Sequence, residues 1–258
     1  MGYPWGEKFQ TDNEDNIMNE LQKKYEAEIN MLVEACHHCA EMNFVTSAGG
    51  NLSQRVENDV ILITPTKTPK RLVTKEDICI IDLDGNIIFA PEGKKPTGEW
   101  PFHTRIMRKR PDIMGIAHTH PQILTGFSIA NNGLLEKPWL PEPIIEMGPI
   151  LTVPYGTPLS EELSEKFDAV INDSNGFLMQ NHGALFCSPV NVFEAVEVTD
   201  MAERMAMSVF VSVSMGCGAP ITPHYVKEMD EVIRIRNLKM PGAAGRFASA
   251  SDLYHVEE

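Results

Sequence analysis

Positive charge is scarce in this chain: 36 Asp and Glu stand against 22 Lys and Arg, a formal net charge of −14. Nucleic acids and anionic membranes are bound chiefly through clustered Lys and Arg, so neither is expected as a partner. No apolar run reaches the roughly 20 residues of a membrane-spanning helix. Residues 1–16 lack the basic flank and apolar core of a signal peptide. The Met-Gly start has no Ser or Thr at position 6, so myristoylation is not expected. A cytoplasmic protein is the resulting expectation. The five cysteines are an odd count, with Cys79, Cys187 and Cys217 isolated, which argues against a disulfide framework. There is no internal repeat and no Gly-x-Gly-x-x-Gly, so nothing supports a nucleotide cofactor. No linker divides the 258 residues, 43% of them hydrophobic. They suffice for one large core, read here as a single domain over 1–258 with tails at 1–16 and 241–258.

Two histidines separated by one residue stand out, in Gly115-Ile116-Ala117-His118-Thr119-His120-Pro121. Side chains alternate along a strand, so His118 and His120 share a face. Paired neutral imidazoles grip a divalent transition metal, zinc by default, at about 2.0–2.1 Å each. A third ligand is offered by Asn181-His182-Gly183, a break between the apolar segments Gly176–Gln180 and Ala184–Cys187, both read as strands. His103, His224 and His255 are weaker candidates. Cys36-His37-His38-Cys39 imitates a metal motif, but it falls within a helix read over 17–43. There Leu21, Tyr25, Ile29, Leu32, Val33, Cys36, Cys39 and Ala40 recur at helical spacing, so the thiols are expected to be core residues.

Ser47-Ala48-Gly49-Gly50-Asn51-Leu52-Ser53 reads as a small-residue turn leading to a strand over Asp59–Thr64. Its backbone either forms an anion-binding nest or is simply a tight turn. Thr64-Pro65-Thr66-Lys67-Thr68-Pro69 adds hydroxyls and a lysine suited to phosphate oxygens. Strands at Ile78–Leu83 and Ile87–Ala90 flank a turn at 84–86 as a hairpin. A helix follows over 101–110, with Pro101 in its first turn and Pro111 at its stop. Its basic end, with Arg105, Arg108, Lys109 and Arg110, reads as a solvated face that complements the helix dipole. Glu99 sits at the entrance to this helix. There a carboxylate either complements the dipole or, if the entrance lies near the histidines, serves as an acid/base. Further on, helices are expected at 122–130, 160–172, 190–215 and 223–237. The prolines between 138 and 154 predict an extended stretch, and the tail from Pro241 is expected to be disordered unless docked.

Taken in order, Gly-Gly-Asn-x-Ser at 49–53, Thr-Pro-Thr at 64–66, Pro-Thr-Gly-Glu-Trp at 96–100, His-Thr-His at 118–120 and Asn-His-Gly at 181–183 resemble the class II aldolases of the fuculose/rhamnulose-phosphate type, over about residues 20–235. The resemblance implies a three-layer αβα sandwich around a mainly antiparallel sheet. It implies zinc on His118, His120 and His182, and Glu99 as general acid/base. Phosphate would bind at Gly50, Asn51, Thr66, Lys67, Thr97 and Gly98. The implied partner is a small phosphorylated sugar, a ketose 1-phosphate cleaved to dihydroxyacetone phosphate and an aldehyde. A homotetramer with sites at subunit boundaries is also implied, and Glu146 or Tyr254 is the candidate for a second proton carrier. The chain differs from the fuculose-type pattern in Thr97-Gly98, where Ser-Ser is common, and in Lys67, where Gly is common. The run Glu-Trp-Pro-Phe-His leans toward the rhamnulose type. Related branches are a sugar-phosphate 4-epimerase, which usually carries Asp at the Glu99 position, dehydratases and decarboxylases. Adducin-like interaction modules share the fold but lack the full histidine triad.

Overall fold

The computed structural model describes residues 20–256. Its centre is an eight-stranded sheet: β1 (Asn51–Arg55), β2 (Val60–Ile63), β3 (Cys79–Asp82), β4 (Ile87–Phe89), β5 (Gly115–Thr119), β6 (Ile150–Val153), β7 (Gly176–Met179) and β8 (Gly183–Ser188). The spatial order is β4-β3-β2-β1-β5-β8-β7-β6. All neighbours run antiparallel except β6 and β7. The central strands β1, β5 and β8 are buried throughout, because helices cover both faces.

On one face, Leu52, Leu62, Ile80 and Ala117 pack on α1 (Glu26–Glu41) and the start of α6 (Val192–Ser214). The same face continues through Leu178, Ala184 and Phe186 onto α3 (Gln122–Ala130) and the middle of α6. On the opposite face, Ile61, Ile63, Ile116 and Leu185 meet Phe102, Ile106 and Met107 of α2 (Trp100–Lys109), and Leu163 of α5 (Glu161–Lys166). Alternation along each strand thus feeds two cores, and the result is the expected αβα sandwich. Cys36 and Cys39 are fully buried in the first core, and burial pushes the Cys36 thiol up to about 12. His37 bonds the Val73 carbonyl at 2.8 Å and His38 lies 3.1 Å from Glu197, so the Cys-His-His-Cys run makes ordinary packing contacts.

Several expectations need correction. Residues 51–53 belong to strand β1, not to a turn; the small-residue turn ends at Gly50. The helix expected over 17–43 breaks at Tyr25, after helical residues 20–24, while 17–19 and the tail 1–16 lie outside the described residues. The proline-rich stretch contains a short helix, α4 (Pro141–Glu146). Pro141 and Pro143 fall in its first turn, where the missing N–H has no intrahelical partner to lose. The helix expected over 160–172 is α-helical only at Glu161–Lys166, continuing as a 3-10 turn through Ala169. α7 (Pro223–Arg236) ends at Asn237, whose φ of 50° closes the helix.

Arg110 is not part of a solvated face; it is 2% exposed. Its guanidinium bonds Asp112 at 2.9 and 2.7 Å, the Ile171 carbonyl at 2.8 Å and the Gly242 carbonyl at 2.7 Å. Those bonds dock the C-terminal segment, which ends in α8 (Ala250–Leu253) packed against α7 and α4.

Candidate metal centre

His118 is the fourth residue of β5, paired with Asn51 on β1 and Leu185 on β8. It is wholly buried, and its Nδ1 donates to the Ala184 carbonyl at 2.9 Å. That bond fixes the tautomer and leaves a lone pair on Nε2. His120 follows just past the strand end, where its N–H donates to the Phe44 carbonyl at 2.7 Å. The next helix, α3, is anchored by Glu203 of α6, which accepts from the N–H groups of Ile123 and Leu124 at 2.8 and 2.9 Å. His182 sits in the three-residue loop of the β7–β8 hairpin, between the paired Met179 and Gly183, beside Asn181 at φ 55°. Gly183 makes room for the cluster: a Cβ there would lie 2.4 Å from Cδ2 of His120 and 2.6 Å from the Thr119 carbonyl.

The three histidines converge with one ligand atom from each within 4.8 Å of the others. Nε2 of His118 and Nε2 of His120 are 3.1 Å apart. Two ligands held tetrahedrally at about 2.0–2.1 Å are about 3.3 Å apart, so this spacing suits one shared cation. Nδ1 of His182 is buried without a hydrogen-bond partner, and its Nε2 faces the same carboxylate, that of Glu99, as Nε2 of His118. Burial and the neighbouring imidazoles hold His118 well below its usual range, and the same causes bring His120 down to about 4. These two rings are therefore neutral near pH 7, the form that binds metal. The donor set fits zinc or another divalent transition metal.

Glu99 is the N-cap residue of α2, yet its side chain makes no capping bond. It turns instead to the cluster, with Oε2 3.5 Å from Nε2 of His118 and Oε1 3.5 Å from Nε2 of His182. Because His118 is neutral, that contact is not an ion pair at pH 7. Asn51 Nδ2 donates to Glu99 Oε2 at 2.8 Å, and Asn51 Oδ1 lies 2.6 Å from Nε2 of His103.

The residues suggested for phosphate lie in the Gly49-Gly50 turn, at the start of β1 and in two joined loops. The 64–68 and 95–98 loops are zipped by Thr66 N donating to the Lys95 carbonyl at 2.9 Å and Thr97 N donating to the Thr64 carbonyl at 3.0 Å. Thr97 Oγ1 accepts from the backbone N–H of Glu99 at 3.3 Å. Thr66, Lys67 and Gly98 are exposed, and Gly50 is buried at φ 70° with His118 behind it. Sequence reasoning missed Lys70, an ammonium group at 1% exposure, which reaches the Ala48 and Thr68 carbonyls at 3.5 and 3.4 Å. It joins the Gly49 turn to the 66–70 loop, and no local pattern marks it.

Glu146 and Tyr254 are not brought to the cluster within one chain. Glu146 lines a cleft with Ser188 and Glu194, and Ser188 pairs with Gly115 at the far end of β5 from His118. Tyr254 packs in the α4–α7–α8 cluster with Ile144 and Val226, where burial raises its hydroxyl pKa well above 10.

This sheet, with an imidazole triad and a carboxylate at one end of its central strands, defines a layered α/β protein with a candidate metal centre. The chain belongs to the family described as Class II Aldolase and Adducin N-terminal domain, whose model matches residues 30–209. It is 33% identical to an L-fuculose phosphate aldolase of Methanococcus maripaludis over 174 residues, covering 67% of this chain and 91% of that one. It is 26% identical to a 3-oxo-tetronate 4-phosphate decarboxylase of Haemophilus influenzae, covering 71% and 87% of the two chains. The crystal structure of YgbL from Klebsiella pneumoniae superposes with a TM-score of 0.67 at 23% identity, covering 72% and 90%. No helix among the described residues is long and apolar enough to cross a membrane.

Proposed function

We propose that this chain is a metal-dependent aldehyde-lyase that cleaves a ketose 1-phosphate, of the fuculose or rhamnulose kind, to dihydroxyacetone phosphate and an aldehyde. The observation that carries the reading is the placement of the Glu99 carboxylate 3.5 Å from two of three converging imidazoles. When bound by His118, His120 and His182, a zinc ion would supply positive charge beside the substrate carbonyl, drawing off the electron pair that the broken carbon–carbon bond leaves behind. Glu99 delivers a proton to the carbon that keeps that pair, and removes it in the synthetic direction. A second group takes the proton from the hydroxyl whose carbon becomes the aldehyde. Glu146 and Tyr254 lie away from the centre in their own chain, so a neighbouring subunit would have to bring one of them.

The phosphate end would meet Gly50, Thr66, Lys67, Thr97 and Gly98, where the lysine and the two threonine hydroxyls are local exceptions to an acidic chain. A cytoplasmic homotetramer with centres at subunit boundaries completes the reading. Met207, Phe210, Val213 and Met215, all exposed on the C-terminal half of α6 and just beyond it, give apolar surface for such association. The Haemophilus relative favours a second reading, decarboxylation of a sugar-acid phosphate at the same centre.

The test is to supply sugar 1-phosphates and sugar-acid phosphates in parallel and identify the products, with Glu99→Gln as control. The expected result is an aldehyde plus dihydroxyacetone phosphate, with Glu99→Gln keeping its metal and losing roughly 10²–10⁴-fold in turnover. Carbon dioxide release without aldehyde selects the second reading, and undiminished turnover in Glu99→Gln removes that residue from the chemistry.

A further inference from the structure

Glu99 is a carboxylate at a helix N-cap, where side-chain oxygens ordinarily accept from the N–H groups of the first turn. It accepts no such bond. Asn51 holds it elsewhere, and the atoms behind Asn51 continue inward: Asn51 Oδ1 to His103 Nε2 at 2.6 Å, and His103 Nδ1 to Ser53 Oγ at 2.7 Å. Asn51, Ser53 and His103 are 3%, 0% and 0% exposed, so water does not compete for these bonds.

The direction of every bond in the chain is forced. Asn51 donates through its amide nitrogen to Glu99 Oε2, so the amide atom facing His103 is the carbonyl oxygen. That oxygen only accepts, so His103 Nε2 carries the hydrogen. Burial brings His103 down to about 3, so the ring is neutral and has only that one hydrogen. Nδ1 must therefore accept, and Ser53 donates. All donors point toward Glu99.

We propose that Ser53, His103 and Asn51 are a one-way hydrogen-bond chain that aims Glu99 at the imidazole cluster, making Asn51 and His103 positioning residues. The proposal rests on Glu99 being the acid/base of the reading above. It also reassigns Asn51. The resemblance makes this residue a phosphate ligand, but its carbonyl oxygen and one amide hydrogen are already committed. The topology explains why the chain works as a ruler. Asn51 and Ser53 are two apart on β1 and so share the face toward α2, the helix that carries His103. Asn51 is also the cross-strand partner of His118. One residue thus sets Glu99 relative to a cluster ligand.

The test uses the full-length, metal-loaded protein with His103→Gln and His103→Asn. Gln can place an amide N–H where Nε2 stood and still donate to Asn51, whereas Asn reaches only as far as Nδ1. His103→Asn is expected to lower kcat by roughly 10–100-fold, with KM and bound metal within about twofold of the parent. His103→Gln is expected to restore kcat to within about threefold. Equal losses in both variants, or losses accounted for by unfolded protein, would mean the ring only fills space and would overturn the proposal.

Crystal structures give a readout that does not depend on turnover. In His103→Asn, Glu99 is expected to leave Asn51 and cap the first turn of α2, and an unmoved Glu99 sinks the chain. An inactive parent whose variant shows that swing would instead refute the lyase reading and leave the chain standing. Should both ring variants fail to fold, Ser53→Ala deletes a single hydroxyl. A kcat lower by roughly three- to tenfold is then expected, and an unchanged kcat overturns the proposal.

Discussion

At single positions, the strongest constraints on the centre are contacts that no local pattern announces. Gly183 stands 2.4 Å, at its absent Cβ, from the His120 ring. The backbone there could hold another residue, but the space could not. Gly183→Ala is expected to displace that ring and weaken metal binding on the order of 10–100-fold, read by competition with a chelator of known affinity. Unchanged affinity would show that the ring has room to spare. His118 and His120 were legible because strand alternation puts them on one face whatever the partners are. His182 was legible as a histidine beside a glycine between two apolar segments. The roles of Asn51 and His103 were not legible, since their bonds span 48 and 52 residues of sequence. The buried Arg110 was misread for the same reason: four basic residues crowded at a helix end look alike until one of them finds Ile171 and Gly242.

Among elements, α2 does the most to define the centre. It places Glu99 at its mouth and buries His103 one turn in, while Phe102, Ile106 and Met107 fix the helix on the sheet. The buried His103 makes its packing sensitive to acid. Folding holds its pKa at about 3, against about 6.5 in an unfolded chain. Between those values the unfolded state binds a proton that the native state refuses, so stability falls as pH drops below about 6.5 and is unaffected above it. The contribution is up to about 1.4 kcal/mol per pH unit from this ring. Urea unfolding of the metal-free protein at pH 7.5, 6 and 5 is expected to show this loss, with a shallower slope in His103→Gln. Equal slopes would mean the ring is solvated in the folded state. The sequence located α2, α3, α6 and α7 closely and overran α1, whose buried stripe continues past the break at Tyr25. The reading failed at α4, where prolines suppressed the helix, and at β1, a strand that was read as part of the small-residue turn before it.

For the molecule as a whole, the prediction concerns the metal. Protein purified without chelators is expected to carry about one divalent transition ion per chain on the histidine triad. Removing an ion present at a hundredfold excess over its Kd costs about 2.7 kcal/mol. For a chain of this size that lowers Tm by about 5–10 °C. A folded protein that carries no ion and has the same Tm with and without chelator would count against the centre. By itself, the sequence determined the acidic character, the paired imidazoles on one strand face and the order of the five motifs, and through the resemblance those motifs carry it implied the layered α/β class. Composition, spacing and motif order are local properties of a chain. Only the tertiary structure decided that Glu99 faces the histidines instead of capping its own helix. It also decided that Asn51 holds Glu99 there, and that Glu146 and Tyr254 lie at a distance. These are distances between segments far apart in sequence, set by strand order and helix packing, and no local pattern encodes them.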